Sequence, residues 1–124
     1  EVGSRRPLGA GSGSLAILAW LDDAEIELAL AQLDKRLTAY PGITIKAIRK
    51  EMAAARKRGY TMLVDVVVNR MGAIGKPIFG LDGRPVGAIS VSALSERLME
   101  REKHLAQWIG EETAQIEKAL RTSA

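Results

Sequence analysis

The sequence predicts an α+β domain, an antiparallel sheet flanked by helices, and three observations carry that prediction. Residues Gly59 to Leu98 hold two β-rich runs around Asp82-Gly83, then a strand bearing Ser90 and Ser92, then a helix start. Ahead of this region, apolar residues recur at helical spacing. Behind it, Leu105, Trp108, Ile109, Ile116 and Leu120 recur at about 3.6-residue spacing on an otherwise charged segment.

Taken in order, residues 1–14 are rich in glycine and serine and read as a loop. Leu15 to Leu21 (LAILAWL) is apolar all round and reads as a short buried helix capped by Ser12 or Ser14. Asp22-Asp23 caps a second helix with Ile26, Leu28, Leu30, Leu33 and Leu37 at broadly helical spacing. Pro41-Gly42 breaks the chain. Thr44 is the N-cap expected for a third helix, Ile45 to about Arg58, with Ile48, Met52 and Ala55 on one stripe and Gly59 as terminator. Tyr60 to Val68 lacks alternation and reads as a strand covered on both faces. Ala73–Leu81 and Arg84–Leu94 form a hairpin across Leu81-Asp82-Gly83-Arg84. The last helix is expected from about Met99 to Leu120.

The chain has 124 residues, enough for one domain with a real core, and 47% apolar with 27% charged residues is ordinary for a globular protein. No apolar run approaches the roughly 18 residues that a membrane helix needs. The absence of cysteine and of a signal peptide fits a cytoplasmic protein. A net charge of +3 without basic residues interleaved with aromatics argues against a nucleic-acid interface in this chain. The first residue is Glu1 rather than Met, which suggests a fragment or a processed chain.

The chemistry-bearing motifs are few. On the hairpin's second strand Val86, Ala88, Ser90 and Ser92 share one face, with the two hydroxyls about 7 Å apart. Paired serines on an apolar strand suggest a buried polar site. Equally, they could satisfy each other or the backbone near a sheet edge. Gly9-Ala10-Gly11-Ser12-Gly13-Ser14 precedes a helix, where free N–H groups attract anions. It lacks the spacing of a dinucleotide fingerprint, a Walker loop or a nucleophile elbow, and a flexible loop with a helix cap is the plainer reading. His104 sits in a charged helix and offers no base to either serine, so no catalytic residue is assigned. One histidine and no cysteine support neither a metal site nor a cofactor. Lys46, Arg49, Lys50, Arg56, Lys57 and Arg58 read as a solvated helix face before they read as a docking surface. Trp20 and Trp108 are read as core or interface anchors.

Together VGSRRPLGAGSGSLAILAWL, ARKRGY and PIFGLDGRPVGAISVSALSERL resemble the C-terminal effector-binding domain of IclR-type bacterial transcriptional regulators. The resemblance spans nearly the whole chain, 1–124, and SVSALSERL is its most specific part. It implies a GAF-like sensor fold, a homodimer or homotetramer, a small-molecule effector pocket, and an N-terminal winged helix-turn-helix that this chain lacks. It also implies that the first strands of the sensor domain lie outside this chain. Family effector positions match at Ser12 and Gly13, through main-chain N–H groups, and at Ser90 and Ser92. Two further effector positions depart from the family: Leu63 replaces an acidic residue of some members, and Ala73 replaces a cysteine of at least one. Leu15 stands where Lys is common, and Gly9 where His is usual.

An acid facing a pocket favours a hydrogen-bonding ligand, and burying it without one is costly. Leu63 and Ala73 remove that demand. The expected effector therefore has an anionic end at Ser12, Gly13, Ser90 and Ser92 and an apolar body near Leu63 and Ala73, such as an aromatic or medium-chain carboxylate. Its binding would shift a quaternary equilibrium that an attached DNA-binding domain reads. An oligomerisation module without a functional effector site is the alternative, and a small enzyme on this scaffold is disfavoured for want of a base, thiol or metal set.

Overall fold

A computed structural model describes residues 11–37, 42–66 and 69–123. Its elements are α1 (Ser12–Ala19), α2 (Asp23–Asp34), α3 (Ile45–Arg58), β1 (Thr61–Val64), β2 (Met71–Phe79), β3 (Pro85–Leu94), α4 (Ser95–Glu100) and α5 (Glu102–Thr122). The α+β class expected from the sequence is observed: one antiparallel sheet in the order β1-β2-β3. One core joins α1, α2 and α3 through Leu15, Leu18, Leu30, Leu33, Ile48 and Met52. A second joins the sheet to α4 and α5 through Ile74, Leu98 and Ile109, all fully buried.

Local chemistry accounts for most boundaries. The Asp22 carboxylate accepts from the Glu25 amide at 2.9 Å and the Thr44 hydroxyl from the Ala47 amide at 3.1 Å, so both expected caps form. Gly59 ends α3 at φ 97°, where a Cβ would be strained. The β2–β3 hairpin turns one residue earlier than an Asp-Gly pair would set it. Gly83 N donates to Gly80 O, Gly80 N donates to Arg84 O, and Gly83 takes φ 77°. Leu81-Asp82-Gly83 is thus a loop with glycine in the left-handed position.

Four expectations are corrected. Helix α1 starts at Ser12, with Gly11 as its N-cap, so neither Ser12 nor Ser14 caps a helix beginning at Leu15. Ser14 instead folds back on Gly11, accepting from its amide and donating to its carbonyl. Strand β1 ends at Val64, because Asp65 takes φ 60° and its amide turns to the Met71 carbonyl at 2.9 Å. The last helix is two helices, broken where Arg101 leaves helical geometry (φ −111°, ψ 16°). The α5 stripe read as apolar core is only partly so: Ile109 is buried, but Trp108, Ile116 and Leu120 are exposed, as is Leu28 on α2. The inward face of α5 is Ile109 and Thr113, flanked by Leu105, Ala106 and Glu117. Gly9, Tyr40, Pro41, Val67 and Val68 lie outside the described residues.

Candidate functional site

The sheet register builds the site in two cross-strand rows. Thr61 pairs with Gly75 and Gly75 with Ser90, while Leu63 pairs with Ala73 and Ala73 with Ser92. Because strand side chains alternate, these six residues share one face, and Met62, Ile74 and Val91 between them face α5. Helix α1 lies over the first row. The backbone of Ser12 sits so close to Gly75 that a Cβ there would fall 2.7 Å from the Ser12 carbonyl carbon. Gly13 is beside Ser90 on the same row, and a Cβ on Gly13 would lie 3.4 Å from the Ser90 hydroxyl.

Buried hydroxyls hold this contact. Thr61, fully buried, donates from Oγ1 to the Ser12 carbonyl at 2.7 Å. The Ser12 and Thr61 hydroxyls are 2.8 Å apart, and the Ser12 hydroxyl also lies 3.2 Å from the Ala73 carbonyl. The amino end of α1 is thereby fixed at the boundary between the two rows. Leu15 is the first donor inside the helix, bonding to Gly11 O at 2.8 Å, so the Ser12 and Gly13 amides precede the intrahelical ladder.

Beyond that end, the Leu63–Ala73–Ser92 row floors a cavity of about 370 Å³. Ser12, Gly13, Leu63, Ala73, Ser90 and Ser92 all line it, so the six residues expected from the sequence converge from four elements. Two details differ from expectation. Ser90 and Ser92 are exposed at the cavity surface rather than buried. The Ser12 hydroxyl is engaged with Thr61 in a residue only 4% exposed, so it belongs to the wall. The sequence alone does not single out Val66, Met71 and Gly72, which continue the apolar lining at the β1–β2 connection. Their signal is the register itself, since Gly72 and Met71 follow Ala73 outward along β2. Among the described residues, none that lines the cavity is ionisable, and the polarity they supply comes from hydroxyls and the backbone.

The remaining motifs resolve elsewhere. Arg49 makes a two-armed contact to Glu27 at 2.7 and 2.8 Å, and Arg58 pairs with Glu51. Arg56 donates to the Ala19 and Leu21 carbonyls at the carboxyl end of α1. Three of the basic residues of α3 are thus engaged within the molecule. His104 is exposed. Trp20 meets Phe79 edge-on at 6.4 Å between ring centres. Among the described residues, no three His, Cys, Asp or Glu side chains gather as metal ligands, and no helix is long and apolar enough to cross a membrane.

Helices on both sides of an antiparallel sheet, with a cavity at the amino end of α1, define a GAF-like α+β domain. Residues 1–118 match the family model for the C-terminal domain of bacterial transcriptional regulator IclR, and the chain belongs to that family. It is 29% identical over 121 residues to the HTH-type transcriptional regulator KipR of Bacillus subtilis, covering 96% of this chain and 48% of that protein. It is 31% identical over 100 residues to the HTH-type transcriptional repressor AllR of Escherichia coli, covering 80% of this chain and 37% of the relative. The chain thus spans about half the length, or less, of these relatives. The solved C-terminal domain of the Escherichia coli transcriptional regulator KdgR superposes with a TM-score of 0.82 at 20% identity, over 95% of this chain and 73% of that one. The family is one of transcriptional regulators, not enzymes.

Proposed function

We propose that residues 1–124 form the effector-sensing and oligomerisation domain of a cytoplasmic DNA-binding transcriptional regulator, and that the cavity takes a carboxylate with an apolar body. One observation carries the reading: Ser12, Gly13, Leu63, Ala73, Ser90 and Ser92, far apart in sequence, line a single cavity. The amino end of α1 and the Ser90 and Ser92 hydroxyls supply hydrogen-bond donors for a carboxylate. Leu63, Ala73, Val66 and Met71 offer an apolar wall to the rest of the ligand. Among the described residues the lining offers a ligand hydroxyls, backbone amides and apolar side chains, and we expect the apolar body to supply most of the affinity. The domain acts as a homodimer or homotetramer whose arrangement shifts on binding, and DNA is contacted through a separate helix-turn-helix domain.

Thermal melting of this chain with acetate, hexanoate, benzoate and glyoxylate tests the ligand class. The melting temperature is expected to rise with ligand hydrophobicity at equal concentration. A response to glyoxylate alone overturns the proposed class. No response to any acid, with self-association retained, favours the alternative of an oligomerisation module without a working effector site.

A further inference from the structure

Thr61 lines no part of the cavity, yet it is the residue through which the sheet grips the cavity's helical lip. Proton accounting makes its role specific. Each hydroxyl has one proton to donate. Thr61 Oγ1 lies 2.7 Å from the Ser12 carbonyl and 3.2 Å from the Gly75 carbonyl. The Ser12 hydroxyl lies 3.2 Å from the Ala73 carbonyl and 3.5 Å from the Thr61 carbonyl, and the two hydroxyls are 2.8 Å apart. Each proton therefore has an acceptor inside the fold, whichever hydroxyl donates to the other. Both protons are used inside the fold, and both side chains are shut away from solvent. The Ser12 hydroxyl therefore has none left for a bound molecule.

We infer that Thr61 and the Ser12 side chain are a positioning pair for the cavity, and that Ser12 serves a ligand only through its main chain. Three features of the fold support this. Gly75, without a side chain, lets the Ser12 backbone reach the sheet where Thr61 can hold it. The Ser12 carbonyl that Thr61 binds is in the first turn of α1, so the bond sets the direction in which the Ser12 and Gly13 amides point. The neighbouring row, Leu63–Ala73–Ser92, is fixed to Thr61 by strand register, so lip and floor move as one body. A misplacement of the helix end by a fraction of an ångström would detune its amides without touching Ser90 or Ser92.

This inference deepens the effector reading and rests on it for its binding arm, so the test has a second arm without ligand. Thr61→Val keeps shape and removes the hydroxyl, Thr61→Ser keeps the hydroxyl, and Ser12→Ala removes the other partner. In hydrogen exchange without ligand, Thr61→Val is expected to speed exchange of the Leu15 and Ala16 amides about tenfold, and Thr61→Ser to restore protection. Unchanged exchange in Thr61→Val overturns the inference. Titration with hexanoate, well below the melting temperature of each variant, is expected to give about tenfold weaker binding for Thr61→Val. Ser12→Ala should lose under about threefold, and the double variant little more than Thr61→Val alone. A large loss in Ser12→Ala with Thr61→Val unaffected would overturn the inference by making the Ser12 hydroxyl a direct ligand contact. If hexanoate, benzoate and the other acids leave the unmodified chain unmoved while Thr61→Val still frees the amides, the effector reading fails and the positioning role stands.

Discussion

Gly75 lies against the backbone of Ser12, at a distance that leaves no room for a methyl group. The obstacle is main chain on both sides, since Gly75 is paired to Thr61 and Ser90 and Ser12 opens a helix. Neither partner can swing aside as a long side chain would. Gly75→Ala is therefore expected to cost roughly 2–4 kcal/mol, at the upper end of overpacking effects. Urea denaturation of the variant measures this. A loss under about 0.5 kcal/mol, the range of neutral surface changes, would show that α1 can lift from the sheet without penalty.

A second clamp lies at the far end of the cavity. The Ser95 hydroxyl donates to the Asp65 carboxylate at 2.6 Å, and the Ser95 amide donates to the Arg70 carbonyl at 2.9 Å. Ser95 opens α4, and Asp65 and Arg70 both take positive φ at the two ends of the β1–β2 connection. One residue thus holds both stems of the connection that carries Val66. Ser95→Ala is expected to cost about 0.5–1.5 kcal/mol, the net worth of one hydrogen bond. Exchange of the Asp65 amide should rise with it. Asp65→Asn keeps an acceptor oxygen and should remain near the unmodified protein in both measurements.

Much of this arrangement is legible in the chain because its signals are local. Thr44 and Gly59 mark both ends of α3, Gly83 marks the hairpin, and the two-residue spacing of Ser90 and Ser92 puts them on one face. The family resemblance supplies what locality cannot, the convergence of Ser12 with Leu63, Ala73 and the serines. What stays hidden depends on contacts distant in sequence. Ser12 and Thr61 are 49 residues apart, and nothing in either neighbourhood tells a capping hydroxyl from one locked into a sheet. The start of α1 is hidden because Gly11 caps it without a side-chain signal. The break at Arg101 carries neither glycine nor proline. Periodicity likewise marks α5 as a helix but not which flank of its apolar stripe meets the sheet, so it points Trp108 and Ile116 to a core that leaves them exposed.

The alkaline limit of stability is set in part by Tyr60. Its hydroxyl donates to the Glu102 carboxylate at 2.6 Å, tying the start of β1 to the start of α5. Burial, then that hydrogen bond and the charge of Glu102, push the phenol from its ordinary 10.0 up to about 12. Below pH about 10 the phenol is protonated in both folded and unfolded chains, and its contribution is fully present. Between about 10 and about 12 the unfolded chain loses the proton first, so stability falls as pH rises. Denaturation midpoints over this window should drop more steeply in Tyr40→Phe, where Tyr60 is the only phenol, than in Tyr40→Phe/Tyr60→Phe. Tyrosinate absorbance appearing in folded Tyr40→Phe near pH 10 would contradict the assignment.

Leu63 tests which chemistry the cavity accepts. It sits at the floor, paired with Ala73 and one row from Ser90, and among the described residues none that lines the cavity carries charge. Leu63→Asp would place a carboxylate in the wall proposed for the ligand's apolar body, one row from the Ser90 end proposed for its carboxylate. Like charges in a partly enclosed site repel by more than the lost apolar contact alone. Binding of hexanoate is expected to weaken at least about tenfold, because like-charge juxtaposition costs several kcal/mol. Leu63→Asn, with similar size and no charge, should weaken it less, through lost apolar contact only. The gap between the two variants should narrow as pH falls below the carboxylate range, since the introduced carboxyl, once protonated, no longer repels an anion. Equal losses in both variants at every pH would show that no ligand charge lies within reach of Leu63, and would overturn the placement of a carboxylate at the neighbouring Ser90 end of the cavity.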